Sequence, residues 1–270
     1  MEVSKYENCY VAFLDILGFK DLLEHNNMEE IRKIFEEIRE FRPNPFVELP
    51  AHDHIKFHIM SDSIIVYVDA DIQDSFISLT EVCYQIQIYL LRREQPVLLR
   101  GGIAKGNLYR DKDVIFGTGL SRAYSLENAL ASYPRIIFTE ATLNEGLENS
   151  RYTGIWDNLS MFYLMDNDDL YYIDFLYITY YFKHLYNTET NDTDLAIMNY
   201  FEKLDNFVNE HLSDELNPSI RTKYLWLKEK INATIYNTPK LRKHFEEYDN
   251  KKKEARREYL RMKIREGDKS

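Results

Sequence analysis

Cysteine, glycine and positive charge are the scarce commodities of this chain. Two cysteines, Cys9 and Cys83, among 270 residues cannot build a disulfide framework, and they read as core filler in a protein of a reducing, cytoplasmic compartment. There is no signal-type start and no apolar run approaching the roughly 20 residues a bilayer requires, so no membrane partner is expected. Nine glycines, most of them between Gly101 and Gly119, and seven prolines leave no low-complexity linker. Lys and Arg number 34 against 45 Asp and Glu, a net of −11, which argues against an extended nucleic-acid surface. A polyanionic ligand would need a local site. The deficit is uneven: residues 239–270 hold 12 Lys and Arg against 7 Asp and Glu, a net of +5, leaving −16 for the rest. That tail mixes both signs among strong helix formers and reads as an exposed helix.

What is present is a core-sized share of apolar residues, 44%, arranged in two styles. "CYVAFLDI" is apolar almost throughout, as a strand covered on both faces should be, and "KDLLEHNNMEEIRKIFEEIREF" then shows helical spacing. "HIKFHIM" and "SIIVYVDA" are β-rich and separated by Ser61 and Asp62, which predicts a hairpin with Asp62 at its tip. A helix carrying Ile72, Phe76, Leu79, Cys83, Ile86 and Leu90 on one face follows, then the strand "PVLLRGGIAKGNLY", a short β-like run at "DVIF", a helix over "LSRAYSLENALA" and a strand at "RIIFT". The order β-α-β-β-α-β-β-α-β predicts an α/β (α+β) sandwich close to the ferredoxin-like plan, its helices on one face. From about residue 175, "FLYITYYFKHLYN", "DLAIMNYFEKLDNFVNEHL" and "IRTKYLWLKEKINATIY" predict an all-helical extension punctuated by Pro218 and Pro239. The expected division is 1–175 and 176–270.

Asp15 ends the first strand and Asp62 tips the hairpin, and in such a plan the first strand commonly lies beside that hairpin. Two convergent carboxylates suit Mg²⁺ or Mn²⁺, which take oxygen ligands shared with substrate phosphates. The amides of Ile16 to Phe19, at the turn into a helix, would face a phosphate. Other clusters offer less. His52, His54 and His58 share a face only if "HDHIKFH" is one unbroken strand, and no partner at ligand spacing makes them a zinc site. The tyrosines of "YYIDFLYITYYF" read as packing rather than base-stacking.

Residues 10–140 resemble the catalytic domain of class III nucleotidyl cyclases. "FLDILGF" resembles that family's first metal motif, which makes Asp15 a ligand of two divalent ions and Ile16 a backbone contact to one of them. "MSDSIIVYV" resembles the second, with Asp62 as the other carboxylate; "LRGGIAKGNLY" resembles the strand after the second helix, and "FGTGLSRAYSLENA" the glycine and transition-state helix. The departures are specific. Ser121 stands where many relatives have a ribose-orienting Asn, and Ser125 where they have a transition-state Arg. His58 replaces the usual purine-reading Lys or Glu, and Val114 falls near a second base position that lacks its Asp. These features are most similar to the bacterial pyrimidine cyclases of Pycsar anti-phage defence, whose cyclic UMP or cyclic CMP activates a separately encoded effector.

The resemblance implies a ferredoxin-like class III fold and Mn²⁺ or Mg²⁺ bound as two ions by Asp15, Ile16 and Asp62. It implies a UTP (or CTP) substrate, uridylate before cytidylate, touched by Phe13, Ile16, Gly18, Phe19, His58 and Arg100. It also implies a homodimer with composite sites. The missing transition-state cation leaves Arg122, Lys105, Arg100 and Arg135 as candidates, with Arg122 nearest the substituted positions. Two alternatives stay open: a degenerate cyclase-like nucleotide sensor, and a non-enzymatic interaction protein.

Overall fold

Strand β1 (Glu7–Ile16) is hydrogen-bonded along both edges, to β3 (Ser63–Asp69) and to β4 (Leu99–Arg110), antiparallel in each case. The computed structural model describes residues 6–25, 28–39, 49–111, 114–150, 162–178, 191–212, 217–248 and 250–251. Within these the sheet runs β2-β3-β1-β4-β6-β8-β7, where β2 is Lys56–Met60, β6 Ile136–Phe138, β7 Tyr163–Met165 and β8 Tyr171–Ile173; a short β5 (Ile115–Phe116) pairs with the far end of β4. Only the β4–β6 pairing is parallel. The mixed α/β plan with a helical C-terminal part is as the sequence implied.

Alternation along β1 builds two cores. Tyr10, Ala12, Leu14 and Ile16 face α3 (Ser75–Leu91), while Cys9, Val11 and Phe13 face α4 (Thr118–Leu130) through Ala123. The expectation of helices on one face is therefore corrected: α3 and α4 cover opposite faces. The second approach is permitted by glycine, because a Cβ on Gly102 would stand 2.4 Å from the Ala123 carbonyl oxygen and 2.9 Å from the Glu127 nitrogen. The first helical segment is also divided, into α1 (Phe19–His25) and α2 (Met28–Arg39).

Helix α3 is buried on nearly every side rather than along one stripe, as a helix that is apolar all round must be. Its outer side is covered by α5 (Glu140–Glu148), the β7–β8 hairpin and the turn after β8; Thr80 Oγ1 lies 2.6 Å from Tyr163 Oη, and the Tyr84 hydroxyl donates to the Tyr177 carbonyl at 2.8 Å. Cys9 and Cys83 are free and buried, one in each core. Of the helix expected from residue 175, residues 175–176 form a turn and 178 is helical, while 179–190 lie outside the described residues. Two of the predicted C-terminal helices are present as α6 (Asn191–His211) and α7 (Pro218–Asn237), the latter opened by Pro218 and capped by the Asn217 side chain, which accepts from the Ser219 amide at 2.9 Å. A helical stretch over 239–248 follows, and the basic tail from 252 lies outside the described residues.

Helix α7 is fastened to the sheet by one carboxylate. Asp166, after β7, accepts from Arg135 at 2.8 Å, from the Trp226 indole at 2.9 Å and from Lys230 at 2.9 Å. Arg135, fully buried and also paired with Asp168, lies over the Tyr133, Tyr172 and Trp226 rings, and Tyr133 stacks on Trp226 at 5.4 Å. Arg135 is therefore structural and is removed from the transition-state candidates. Burial alone would raise the Asp166 carboxyl. Hydrogen bonds from Lys230, the Asn167 amide and Trp226, with the charge of Arg135, instead hold it below the ordinary carboxylate range. Removing one member of such a buried network costs about 3–5 kcal/mol. Asp166→Asn is expected to lose about that much unfolding free energy in urea titrations. Because the folded-state pKa is depressed, the difference from wild type should be complete above about pH 4, where the unfolded carboxyl is ionised, and vanish as pH falls through the lowered value.

Candidate functional site

The register of three strands assembles the site. Directly paired residues share a face, so Asp15 stands in one row with Ser63 on β3 and Arg100 on β4. The adjacent row on that face holds Phe13, Ile65 and Gly102, with His58 beyond Ile65. Asp62 lies in the two-residue turn before Ser63, where Ser61 takes a left-handed φ of 55°, and its carbonyl accepts the Ile16 amide at 3.2 Å. A backbone bond thus ties the end of β1 to the hairpin tip, and the Asp62 charge acts on Asp15.

Arg100 joins two carboxylates. Its Nε donates to Asp15 Oδ2 at 2.9 Å, and its Nη2 lies 2.8 Å from Glu127 Oε1. Glu127 is buried on the inner face of α4, below Gly119 and Ala123 at four-residue intervals. Burial is the largest influence on the Asp15 carboxyl and pushes its pKa up; the Asp62 charge adds to this, while Arg100 and, from α7, Lys223 oppose it. Glu127 is pushed up in the same way, first by burial and then by Asp15 and Asp62, against Arg100. Three carboxylates, Asp15, Glu127 and Asp62, thus stand against two cations, Arg100 and Lys223, leaving an excess of negative charge in half-buried surroundings. That charge excess and the hard oxygen donors of Asp15 and Asp62 fit Mg²⁺ or Mn²⁺. No group of three or more His, Cys, Asp or Glu with metal-holding geometry occurs among the described residues, so backbone and substrate oxygens would have to complete the shell.

The turn after Asp15 differs from the expected row of free amides. Ile16 donates to Asp62 O and Leu17 to Leu98 O at 2.9 Å, which leaves the amides of Gly18 and Phe19. Gly18 has the left-handed φ of 76° that this turn requires, and its carbonyl accepts from Leu22 to begin α1. Phe19 packs edge-on against Phe35 of α2 at 5.9 Å, and Phe13 against Tyr124 of α4 at 5.3 Å, so both aromatics serve the cores.

Several candidates lie elsewhere. Lys105 faces away from Asp15, in the row of Tyr10 on the α3 side, and pairs with Glu145 at 2.7 Å. Arg122 is exposed on α4 and donates to the Lys105 carbonyl at 3.0 Å, five residues along β4 from Arg100 and roughly 16 Å away at strand rise. Ser121 and Ser125 are exposed on α4, the Ser125 hydroxyl donating to the Ser121 carbonyl. His52 and His54 sit in a 3₁₀ turn and His52 approaches Glu81 at 3.2 Å, so the three histidines share no strand face.

No family model matches the chain, and no curated protein matches it. Solved structures do. The chain is similar to the guanylyl cyclase Cya2, with 17% identity and a TM-score of 0.39 over 53% of this chain and 80% of that one. It is similar to an adenylate/guanylate cyclase/hydrolase from Silicibacter pomeroyi, with 17% identity and a TM-score of 0.41 over 59% and 86% of the two chains. A class III adenylyl cyclase-like ATP-binding protein from Pseudomonas aeruginosa gives 12% identity and a TM-score of 0.38 over 62% and 38%.

Glu127 was not singled out by sequence reasoning, although a Gly-x₃-Ala-x₃-Glu spacing on a helix is a visible signal for an acid facing a sheet. Without it, Arg100 keeps only Asp15 as an anionic partner and competes more strongly with a cation. Glu127→Gln is expected to weaken Mn²⁺ binding about tenfold, equivalent to about 1.4 kcal/mol, in a titration followed by electron paramagnetic resonance.

Proposed function

We propose that the chain is a divalent-cation-dependent nucleotidyl cyclase of the class III kind, converting UTP, or CTP less well, to the 3′,5′-cyclic monophosphate and pyrophosphate. The observation that carries this reading is the row Asp15–Ser63–Arg100 with Asp62 at its end: carboxylates for a cation and a guanidinium for phosphate, side by side at one sheet edge. The motif resemblance of residues 10–140 supports it, and so does His58, one row from Asp15 on the same face, as a donor to a pyrimidine O2 or O4.

Two divalent ions, Mn²⁺ or Mg²⁺, held by Asp15, Asp62 and the backbone of Ile16, would supply the acidity of the ribose 3′-hydroxyl and offset charge on the leaving pyrophosphate. The 3′-oxygen gives its proton to water and attacks the α-phosphorus in line, as the bond from that phosphorus to the α,β-bridging oxygen breaks and pyrophosphate leaves. Arg100, once exchanged from Asp15 onto phosphate and still paired with Glu127, offsets charge building on the phosphate oxygens. The Gly18 and Phe19 amides lie beside the same turn. Phe13 supports the floor of the site from the α4 core. Arg122, bonded to the Lys105 carbonyl in the middle of β4 and well away from Arg100, is assigned to the site of a second copy, so the proposal includes a homodimer with two composite sites. Residues 1–175 form its catalytic unit and 176–270 its helical extension. A cytoplasmic place in anti-phage signalling, with a separate effector answering the cyclic nucleotide, completes the proposal. No helix among the described residues is long and apolar enough to cross a membrane.

Purified protein incubated with each of the four ribonucleoside triphosphates and Mn²⁺, with products read by mass spectrometry, is expected to form cyclic UMP above cyclic CMP, and Asp62→Ala to lose it by a hundredfold or more. No cyclic product from any triphosphate, with nucleotide still bound, would replace the cyclase reading with a nucleotide sensor, the alternative that Ser121 and Ser125 favour.

A further inference from the structure

A cavity of about 770 Å³ lies between the Leu17–Gly18 turn that follows Asp15, the segment Glu94–Leu98 that leads into β4, and helices α6 and α7. It opens the helical extension onto the candidate site, since Leu17 and Leu98 directly adjoin the strand ends that carry Asp15 and Arg100. Two lysines line it. Lys203 is committed, its ammonium capping the carbonyls of Arg92 and Arg93 at the end of α3. Lys223 of α7 is half-buried and makes no hydrogen bond or ion pair with any described residue.

Lys223 is held in place by its own helix. Trp226 and Leu227, three and four residues on, are buried, and Trp226 is bonded to Asp166. Its charge acts on both Asp15 and Arg100, which places it within electrostatic reach of the row that carries the candidate chemistry; burial is the main influence lowering its basicity, with Arg100 adding to it and Asp15 opposing. A second cation brought beside Arg100 without an anion of its own gains little in a half-buried setting unless a ligand supplies one. Of the four acids lining the cavity, Asp21, Glu94, Glu202 and Glu210, none is hydrogen-bonded or ion-paired to Lys223; Glu202 is paired with His244 and Glu94 acts on Lys203.

We infer that Lys223, supplied by the helical extension, is a substrate-binding residue that takes the terminal phosphates of a polyphosphate ligand at the Gly18 mouth of this cavity. The inference deepens the nucleotidyl cyclase reading and rests on it for the identity of the nucleotide, but the phosphate contact can be tested alone. Lys223 then complements Arg100: the carboxylates hold cation, the two bases hold phosphate, and the extension is part of the site rather than an appendage.

The test uses the full chain and inorganic triphosphate with Mg²⁺, read by titration calorimetry at two salt concentrations. Lys223→Gln is expected to weaken binding about tenfold and to reduce its salt dependence, Lys223→Arg to keep most of the affinity, and Lys243→Gln, exposed on the 239–248 stretch, to change nothing. Unchanged triphosphate binding in Lys223→Gln, an equal loss in Lys243→Gln, or no triphosphate binding by the wild type would overturn the inference. Unchanged binding in Lys223→Gln with cyclic product still formed would leave the cyclase reading standing. Lys223-dependent binding by a wild type that forms no cyclic product would remove the cyclase reading and leave the phosphate site.

Discussion

The double pairing of β1 is the constraint on which the rest depends. Of its ten residues, the seven from Cys9 to Asp15 are paired on both edges and admit one register, because a slip of one residue would carry every apolar side chain to the wrong face. That register puts Arg100 beside Asp15 and the Ser61–Asp62 turn at the same end. It also puts Lys105 on the opposite face. A charge at the end of an otherwise apolar strand is tolerated because the neighbouring strand carries its counter-charge in the same row. The guanidinium is nevertheless shared, and the excess of carboxylate over base that results is what the proposed cation site rests on.

The few glycines are concentrated where α4 meets the sheet. Gly102 has no room for a Cβ beneath Ala123 and Glu127, and Gly106 has none beneath Thr118 and Gly119, so α4 lies closer to β4 than side chains would allow. Close approach is what brings Glu127 to Arg100. A buried carboxylate there would be costly alone, and the ion pair with Arg100 offsets part of its desolvation. Packing and charge placement at this site are thus one event: a larger residue at Gly102 would displace the helix and the carboxylate together.

Much of this was legible in the sequence because it is local. The apolar run of β1, the hairpin around Ser61 and Asp62, the buried α3 and the periodic α6 and α7 each carry their own pattern, and Asp15 and Asp62 fall at the ends that pattern predicts. What was not legible depends on contacts between distant segments. The side of the sheet taken by α4 is decided by steric room at Gly102 and Gly106. The β7–β8 hairpin is short and its tyrosines resemble helix packing, so it was read past. Ile16 was expected to offer a free amide, but the hairpin tip takes it. Arg135 looked like a spare cation until Asp166 appeared beside it, after a turn whose acids gave no hint of a partner on α7.

One face of α7 couples the helical extension to the sheet, beside the contacts that α6 makes with the end of α3. Lys223, Trp226 and Lys230 follow one another at intervals of three and four residues, so one stripe carries both the anchor to Asp166 and the cation that reaches toward Asp15. Because Trp226 is stacked on Tyr133 and hydrogen-bonded to the same carboxylate that holds Arg135, a rotation of α7 would break buried polar contacts on one turn before it moved Lys223 on the next. The position of Lys223 is therefore set by the Asp166 network, and any influence that loosened that network would withdraw a positive charge from the site without touching Asp15, Asp62 or Arg100. In a fold whose carboxylates are fixed by strand register, the proposed phosphate contact on α7 would vary independently of the proposed cation site.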